Sequence, residues 1–380
     1  MIRRILGLCS RNHGHQAMYF LLQQAVAAFT GSGGDWGELI TEAEYQGVAP
    51  LLAKHLSAID CRLPRETRRQ LQGLCLRSRR ANAIRGETTA SVLTRCRAAG
   101  IEVLAVKGVA LSTFAYSEPG LRPMRDVDLL AAEKDLSRLQ EILVELGFRL
   151  VEEESVPDDF YHLTPLCKEV EGLPVPIEVH RNLLPFHAQY QRWPLERSLA
   201  GARSITIGHG EARTLSLEDT LTHCYLHGFQ APLTYEPFRL IHVADLVSLV
   251  ETYRHEIDWQ LLQHHQPRFC NVLSRLHFLT PWQDDVVEEL HLVVDDAPHG
   301  VGRPYRGWPQ RKLTEEPLSQ WWKLTRETIW PAQWWLQLYY GHLDGVWYHR
   351  MRWFEHPRTV WRWMKTYARA GRKSSKRDTR

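Results

Sequence analysis

Between residues 101 and 130 the chain reads IEVLAVKGVALSTFAYSEPGLRPMRDVDLL, and no other stretch restricts the architecture as strongly. An apolar run, Ile101 to Val106, ends in Lys107-Gly108, and a second short run carries Asp126-Val127-Asp128-Leu129-Leu130. Side chains alternate along a strand, so Asp126 and Asp128 share one face while Val127 and Leu129 face a core. Two carboxylates held side by side repel unless a cation lies between them, and hard oxygen ligands suit Mg²⁺ or Mn²⁺. Gly108 stands where a helix should follow the first strand. A glycine there lets backbone N–H groups approach a phosphate, and a helix N-terminus favours the anion. Together these features point to metal-dependent phosphoryl chemistry, although Asp-x-Asp alone is also common in surface strands and turns.

At 380 residues the chain can form two or three cores, and its 44% hydrophobic and 24% charged content is that of a soluble globular protein. A net charge of +3 argues against a dedicated nucleic-acid coat protein. Seven scattered cysteines without a Cys-x-x-Cys pair fit a reducing compartment, against a disulfide framework or structural zinc. The opening MIRRILGLCSRNHGH lacks the apolar core of a signal peptide, and no apolar run reaches the roughly 18 residues of a membrane span. A cytoplasmic protein without a transmembrane segment is expected.

Residues 1–100 read as an N-terminal helical region. Trp36 to Ile59 has helical apolar spacing broken near Gly47 and Pro50, and Pro64 introduces a long helix, Arg65 to Ala99. That helix carries nine arginines, Arg77, Arg79 and Arg85 among them. It is either a contact surface for phosphates or the solvated face of an amphipathic helix. From 101 strand and helix alternate: strand 101–107, helix 109–116, strand 125–131, helix 133–146 closed by Gly147, and strand 148–152. An acidic segment, 153–174, is expected to form a loop or hairpin beside the site, before a β-type run, Val175 to His180, on which Glu178 and His180 share a face.

Lys-Gly, then Gly120-Leu121-Arg122-Pro123-Met124-Arg125, then Asp-Val-Asp-Leu-Leu resembles the nucleotidyltransferase superfamily typified by DNA polymerase β. It is closer still to a family of uncharacterised bacterial nucleotidyltransferases, whose later strand reads Ile/Val-Glu-Val-His as Glu178 and His180 do here. The superfamily usually has Gly-Ser where this chain has Lys107-Gly108, a variant shared with abortive-infection nucleotidyltransferase toxins. The resemblance spans roughly 35–290. It implies an α+β fold: a small polymerase-β-like α/β core with a short mixed sheet, flanked by N-terminal and C-terminal helical regions. It also implies catalytic, metal-holding carboxylates at Asp126, Asp128 and Glu178, with Mg²⁺ or Mn²⁺ as cofactor and a nucleoside triphosphate, ATP for example, as substrate. Lys107, Gly108, Arg122 and Arg125 would be nucleotide-binding. His180 matches the family's histidine and is either a packing residue or a support for the carboxylates.

Helices return from about 216, where Ser216 and Asp219 resemble a capping box and His223 and His227 share a helical face. These two histidines are candidates to support the site or simply to pack, and no His-Glu-x-x-His frame surrounds them. Arg239 and Asp245 also match the family, in which the helical half helps bind the base or the acceptor. The expected domains are therefore 1–100, a catalytic core at 101–215, a helical domain at 216–294, a linker at 295–315 and a Trp/Arg-rich helical tail at 316–380 with a disordered basic end. Nine of the fourteen tryptophans fall in that tail, interleaved with Arg and Lys, which suits a membrane surface, single-stranded nucleic acid or a helical core. The expected activity is transfer of a nucleoside monophosphate to an acceptor (small molecule, RNA or protein), by a two-metal route that releases pyrophosphate. The alternatives are a catalytically inactive nucleotide-binding or partner-docking protein of this fold, or a membrane-surface partner in polysaccharide assembly.

Overall fold

The computed structural model describes residues 1–151, 156, 160–184, 192–230 and 239–294, and in the tail 319, 322, 325–326, 329–331, 333–341, 345–362 and 365. The fold is α+β. Its first compact unit holds residues 1–224 and 240–258. The helices at the start are α1 (Ile2–Leu8), α2 (Gln16–Gly31), α3 (Trp36–Tyr45), α4 (Ala49–Ser57) and α5 (Arg65–Ala98). The Asp35 carboxylate caps α3 by accepting from the Gly37 and Glu38 amides. The break expected near Gly47 is a Schellman turn: Gly47 adopts φ +73°, its N–H donates to Glu44, and the Val48 N–H donates to Ala43. Pro50 falls in the first turn of α4, where its missing N–H is harmless.

Next come β1 (Val103–Val106), α6 (Lys107–Phe114), β2 (Val127–Ala131), α7 (Leu136–Glu145), β3 (Arg149–Leu150), β4 (Leu166–Val170) and β5 (Leu173–His180). The five strands form one mixed sheet in the order β1-β2-β5-β4-β3. β2 runs antiparallel to β1 and parallel to β5, and the register sets Asp128 opposite Glu178 and Leu130 opposite His180. The other face of these strands, with Val127, Leu129, Ile177 and Val179, packs on Ile84, Val92 and Leu93 of α5 and on Leu139 and Leu143 of α7. One sheet face is thus sealed by apolar burial, which leaves the alternate positions of β2 and β5 to polar side chains.

The structure refines several expected limits. Helix α6 starts at Lys107 rather than 109, and the strand expected at 148–152 shortens to Arg149–Leu150. The hairpin anticipated in 153–174 is β4–β5, turning on Glu171 and Gly172, both with positive φ (52° and 75°), as a type I′ turn demands. α8 (Leu195–Leu199) leads into a two-stranded hairpin, β6 (Arg203–Ile207) and β7 (Gly210–Thr214). Ser216 caps α9 (Leu217–Phe229), its hydroxyl accepting from the Asp219 amide at 3.1 Å. α10 (Leu240–Tyr253) completes the first unit.

The second unit, residues 225–239 and 259–380, contains α11 (Trp259–His265), α12 (Phe269–Leu276), α13 (Asp284–Glu289) and helices at Gln333–Tyr340 and Gly345–Arg350. Trp334 and Trp335 are buried here. The Trp334 indole N–H donates to the Arg275 carbonyl at 3.1 Å, and Trp335 stacks on Tyr339 at 4.8 Å. Part of the aromatic tail is therefore core, while Trp322, Trp353 and Trp361 are exposed. The expected linker, 295–315, and the basic end lie outside the described residues. No helix among the described residues is long and apolar enough to cross a membrane.

Candidate active site

The site is assembled on the open face of β1, β2 and β5. Because Asp128 and Glu178 are register partners on parallel strands, their carboxylates emerge side by side. His180, two residues further along β5, lies on the same face and is fully buried. Asp128, Glu178 and His180 offer ligand atoms that all lie within 4.8 Å of one another, the only such group of three among the described residues. The His180 Nε2 lies 2.8 Å from an Asp128 oxygen and 3.4 Å from Glu178. Tyr161 and His162 pack against the His180 ring at centroid distances of 5.5 and 5.3 Å.

Lys107 supplies the nearby positive charge, its ammonium donating to Asp128 at 2.6 Å. It sits at the β1–α6 junction with φ +53°, in the left-handed region that a side chain with a Cβ occupies only at a cost of about 1 kcal/mol or more. Burial alone would lower the Lys107 pKa, but Asp128, Glu178 and Asp126 outweigh it and raise it. Burial would raise the Asp128 carboxyl, but Lys107 and His180 bring it well below the usual range. Glu178 is likewise lowered: burial opposes this, and His180 leads the groups that overcome it. Asp126, half-buried just before β2, moves the opposite way. Its carboxyl is pushed up to about 6 by burial and then by repulsion from Asp128 and Glu178. The cluster holds more negative charge than one ammonium offsets, and its carboxylate oxygens fit Mg²⁺ or Mn²⁺.

The nucleotide-binding candidates fall into two groups. Lys107 and Gly108 lie at the acid cluster. Arg122 is buried and forms a bidentate pair with Asp245 of α10, Nε and Nη2 each 2.8 Å from a carboxylate oxygen. Tyr116 donates to the same carboxylate at 2.7 Å. The remaining Arg122 nitrogen lies against Gly108, where an added Cβ would come within 2.7 Å of it, so packing against the clamped guanidinium favours glycine there. Arg125 is exposed. His223 is buried on α9 but does not belong to the metal-ligand group, and His227 falls in the second unit.

A protein-family model described as "Uncharacterised nucleotidyltransferase" matches residues 32–279. The chain belongs to this family. The match takes in the acid cluster, Arg122 and Asp245 of the nucleotidyltransferase alike. No curated protein matches it in sequence. Among solved structures it is similar to ANT(2″)-Ia in complex with adenylyl-2″-tobramycin, at 15% identity and TM-score 0.34 over 48% of this chain and 98% of that one. It is also similar to an antigenic nucleotidyltransferase-like protein from Paracoccidioides brasiliensis, at 17% identity and TM-score 0.31 over 53% and 96% of the two chains.

Three residues around the nucleotidyltransferase site escape a motif-based reading. Tyr161 and His162 lie in the acidic segment, and only their aromatic run, Phe160-Tyr161-His162, distinguishes them from a loop. Arg85 is one of nine arginines on α5, and its sole sequence signal is that it falls on the apolar side, between Ile84 and the buried Thr89.

Proposed function

We propose that this nucleotidyltransferase transfers a nucleoside monophosphate from a nucleoside triphosphate to an acceptor hydroxyl, releasing pyrophosphate. The observation that carries this reading is the convergence of Asp128, Glu178 and His180 within 4.8 Å, with Asp126 close in sequence and Lys107 as the ammonium ion-paired to the cluster. Asp126, Asp128 and Glu178 would hold the divalent ions. Mg²⁺ or Mn²⁺ there would supply Lewis acidity to the α-phosphate and charge neutralisation to the departing pyrophosphate.

The chain's own residues have distinct tasks. Glu178 accepts the proton of the attacking hydroxyl on a carboxylate oxygen as the new P–O bond forms. His180 keeps Asp128 in its rotamer. Its Nε2–H donates to Asp128, while the buried Nδ1 has no hydrogen-bond partner among the described residues. That arrangement fits the tautomer with the proton on Nε2, since a buried N–H without an acceptor costs more than a lone pair. Lys107, which pairs with Asp128 here, would bind the triphosphate oxygens, and the α6 N-terminus at Gly108 would favour the same anion. Arg122, clamped by Asp245, lends its remaining N–H edge beside Gly108.

The test is release of pyrophosphate from α-labelled ATP, GTP, CTP and UTP by purified protein with cell extract as acceptor source, in Mg²⁺ or Mn²⁺. Labelled product should form and should vanish with Asp126→Asn. Unchanged product formation by that variant would refute the assignment, and metal-dependent triphosphate binding without product would favour a nucleotide sensor.

A further inference from the structure

Helix α5 runs beneath the sheet, and most of its described cations are matched or solvated. Arg77 pairs with Glu44, Arg79 with Glu118 and Arg95 with Glu145, all at the surface. Arg85 differs. It is 7% exposed, and among the described residues no carboxylate lies within ion-pairing distance. Its one hydrogen bond is a long contact, 3.5 Å, to the Pro174 carbonyl, and its Nε has no partner. A buried guanidinium left in that condition is desolvated without full compensation, which an incoming anion would supply.

A cavity of about 410 Å³ explains where the anion would come from. Arg85, Arg125 and Arg77 line it together with Tyr45, Pro123 and Met124. The wall formed by Pro123, Met124 and Arg125 runs directly into Asp126, so the cavity adjoins the metal-holding end of β2. Burial draws the Arg85 pKa down and the charge of Asp126 pushes it back up, as expected for neighbours. The volume is that of a small-molecule site. Glu44 answers Arg77, which leaves the Arg85 and Arg125 guanidiniums without a carboxylate among the described residues. A phosphate monoester, carrying about −1.5 to −2 at neutral pH, matches two guanidiniums where a carboxylate would match one.

We propose that this cavity seats a phosphate group on a small-molecule acceptor, gripped between Arg85 and Arg125. The identity of the ligand as acceptor rests on the transferase reading above; the anion site itself does not.

Isothermal titration of the full chain with inorganic phosphate in EDTA separates the two, because EDTA removes the divalent ions that the proposed triphosphate site relies on. Wild type should bind phosphate at least about tenfold more tightly than acetate at equal ionic strength. Arg85→Met should weaken phosphate binding by about tenfold or more and Arg125→Gln by about threefold, while Asp128→Asn changes it less than about twofold. If Arg85→Met does not fold, the exposed Arg125→Gln decides. Phosphate binding by both arginine variants as by wild type, or none by wild type up to about 10 mM, would overturn the proposal. So would competitive displacement of phosphate by α,β-methylene ATP with Mg²⁺, since the cavity would then belong to the nucleotide. Phosphate binding by wild type without any nucleotidyl transfer would strike only the transferase reading.

Discussion

Two neighbouring pockets of this nucleotidyltransferase are unbalanced in opposite senses. On the open face of β2, the carboxylates of Asp126, Asp128 and Glu178 have Lys107 as their cation. In the cavity just ahead of β2, the guanidiniums of Arg77, Arg85 and Arg125 have Glu44 as their anion. Arg125 and Asp126 are consecutive in sequence, so the sign of the field reverses across one peptide bond. Proteins seldom bury unmatched charge for stability, because desolvation outweighs what a partial partner returns. Each imbalance suits a ligand of the opposite charge, the proposed divalent cation on the strand and the proposed oxyanion in the cavity. The Arg122–Asp245 pair, buried between them and fully matched, shows what a structural ion pair looks like in the same fold.

The largest effect should come from the acidic pocket. Asp128→Asn removes a proposed metal ligand and the ionic partner of Lys107 together, and turnover should fall by about 10³-fold or more in a steady-state pyrophosphate assay. A fall below tenfold would mean that the acid cluster is not where the charge of the reaction is met. Next comes the matched pair. Arg122→Met leaves Asp245 buried with only Tyr116 donating to it, and urea unfolding should show a loss of about 3–5 kcal/mol.

The acid face was legible from sequence because a strand's alternation is strict: Asp-Val-Asp and Glu-Val-His state which side chains share a face before any coordinate exists. Residue types also announced the Gly47 break, the Gly147 stop and the Ser216 cap, since each answers a local backbone need. What sequence could not give was pairing over distance. Arg122 reads as a phosphate ligand by its neighbours along the chain, yet it meets Asp245, a partner 123 positions away. Arg85 was hidden for the converse reason. Nine arginines on one helix look alike until packing decides which one loses water. The β6–β7 hairpin was also not foreseen; its strands are five residues each and mostly half-buried or exposed, too short and polar to announce a face.

Within the acidic pocket, Asp126 and Asp128 should respond oppositely to pH. The Asp126 carboxyl has a folded pKa of about 6 against an ordinary 3.8, so it is more easily protonated when folded. Its contribution to stability is full below pH 4 and is lost as pH rises through 6. Asp126→Asn escapes that loss. In EDTA the variant should match wild type near pH 4 and become more stable by about 1–3 kcal/mol above pH 6, the lower end reflecting the solvent that still reaches Asp126. Saturating Mg²⁺ should narrow the gap by favouring the ionised wild-type carboxylate. A gap that is flat with pH would show that the carboxylates do not repel one another in solution.

The smallest effect is the most discriminating for the comparison as a whole. Arg85→Met exchanges a buried, unmatched guanidinium for an apolar chain of similar length, so nothing charged is left stranded. Without phosphate, urea unfolding should place the variant within about 1 kcal/mol of wild type, on either side. Adding phosphate should stabilise wild type by RT ln(1 + [L]/Kd) and leave the variant behind. Arg122→Met and Arg85→Met, two truncations of buried arginines in one unit, would then differ by several kcal/mol in the absence of ligand. Equal losses would mean that Arg85 holds up the Pro174 turn and the Pro123–Arg125 wall as a structural strut, and the cavity's positive charge would need no ligand to explain it.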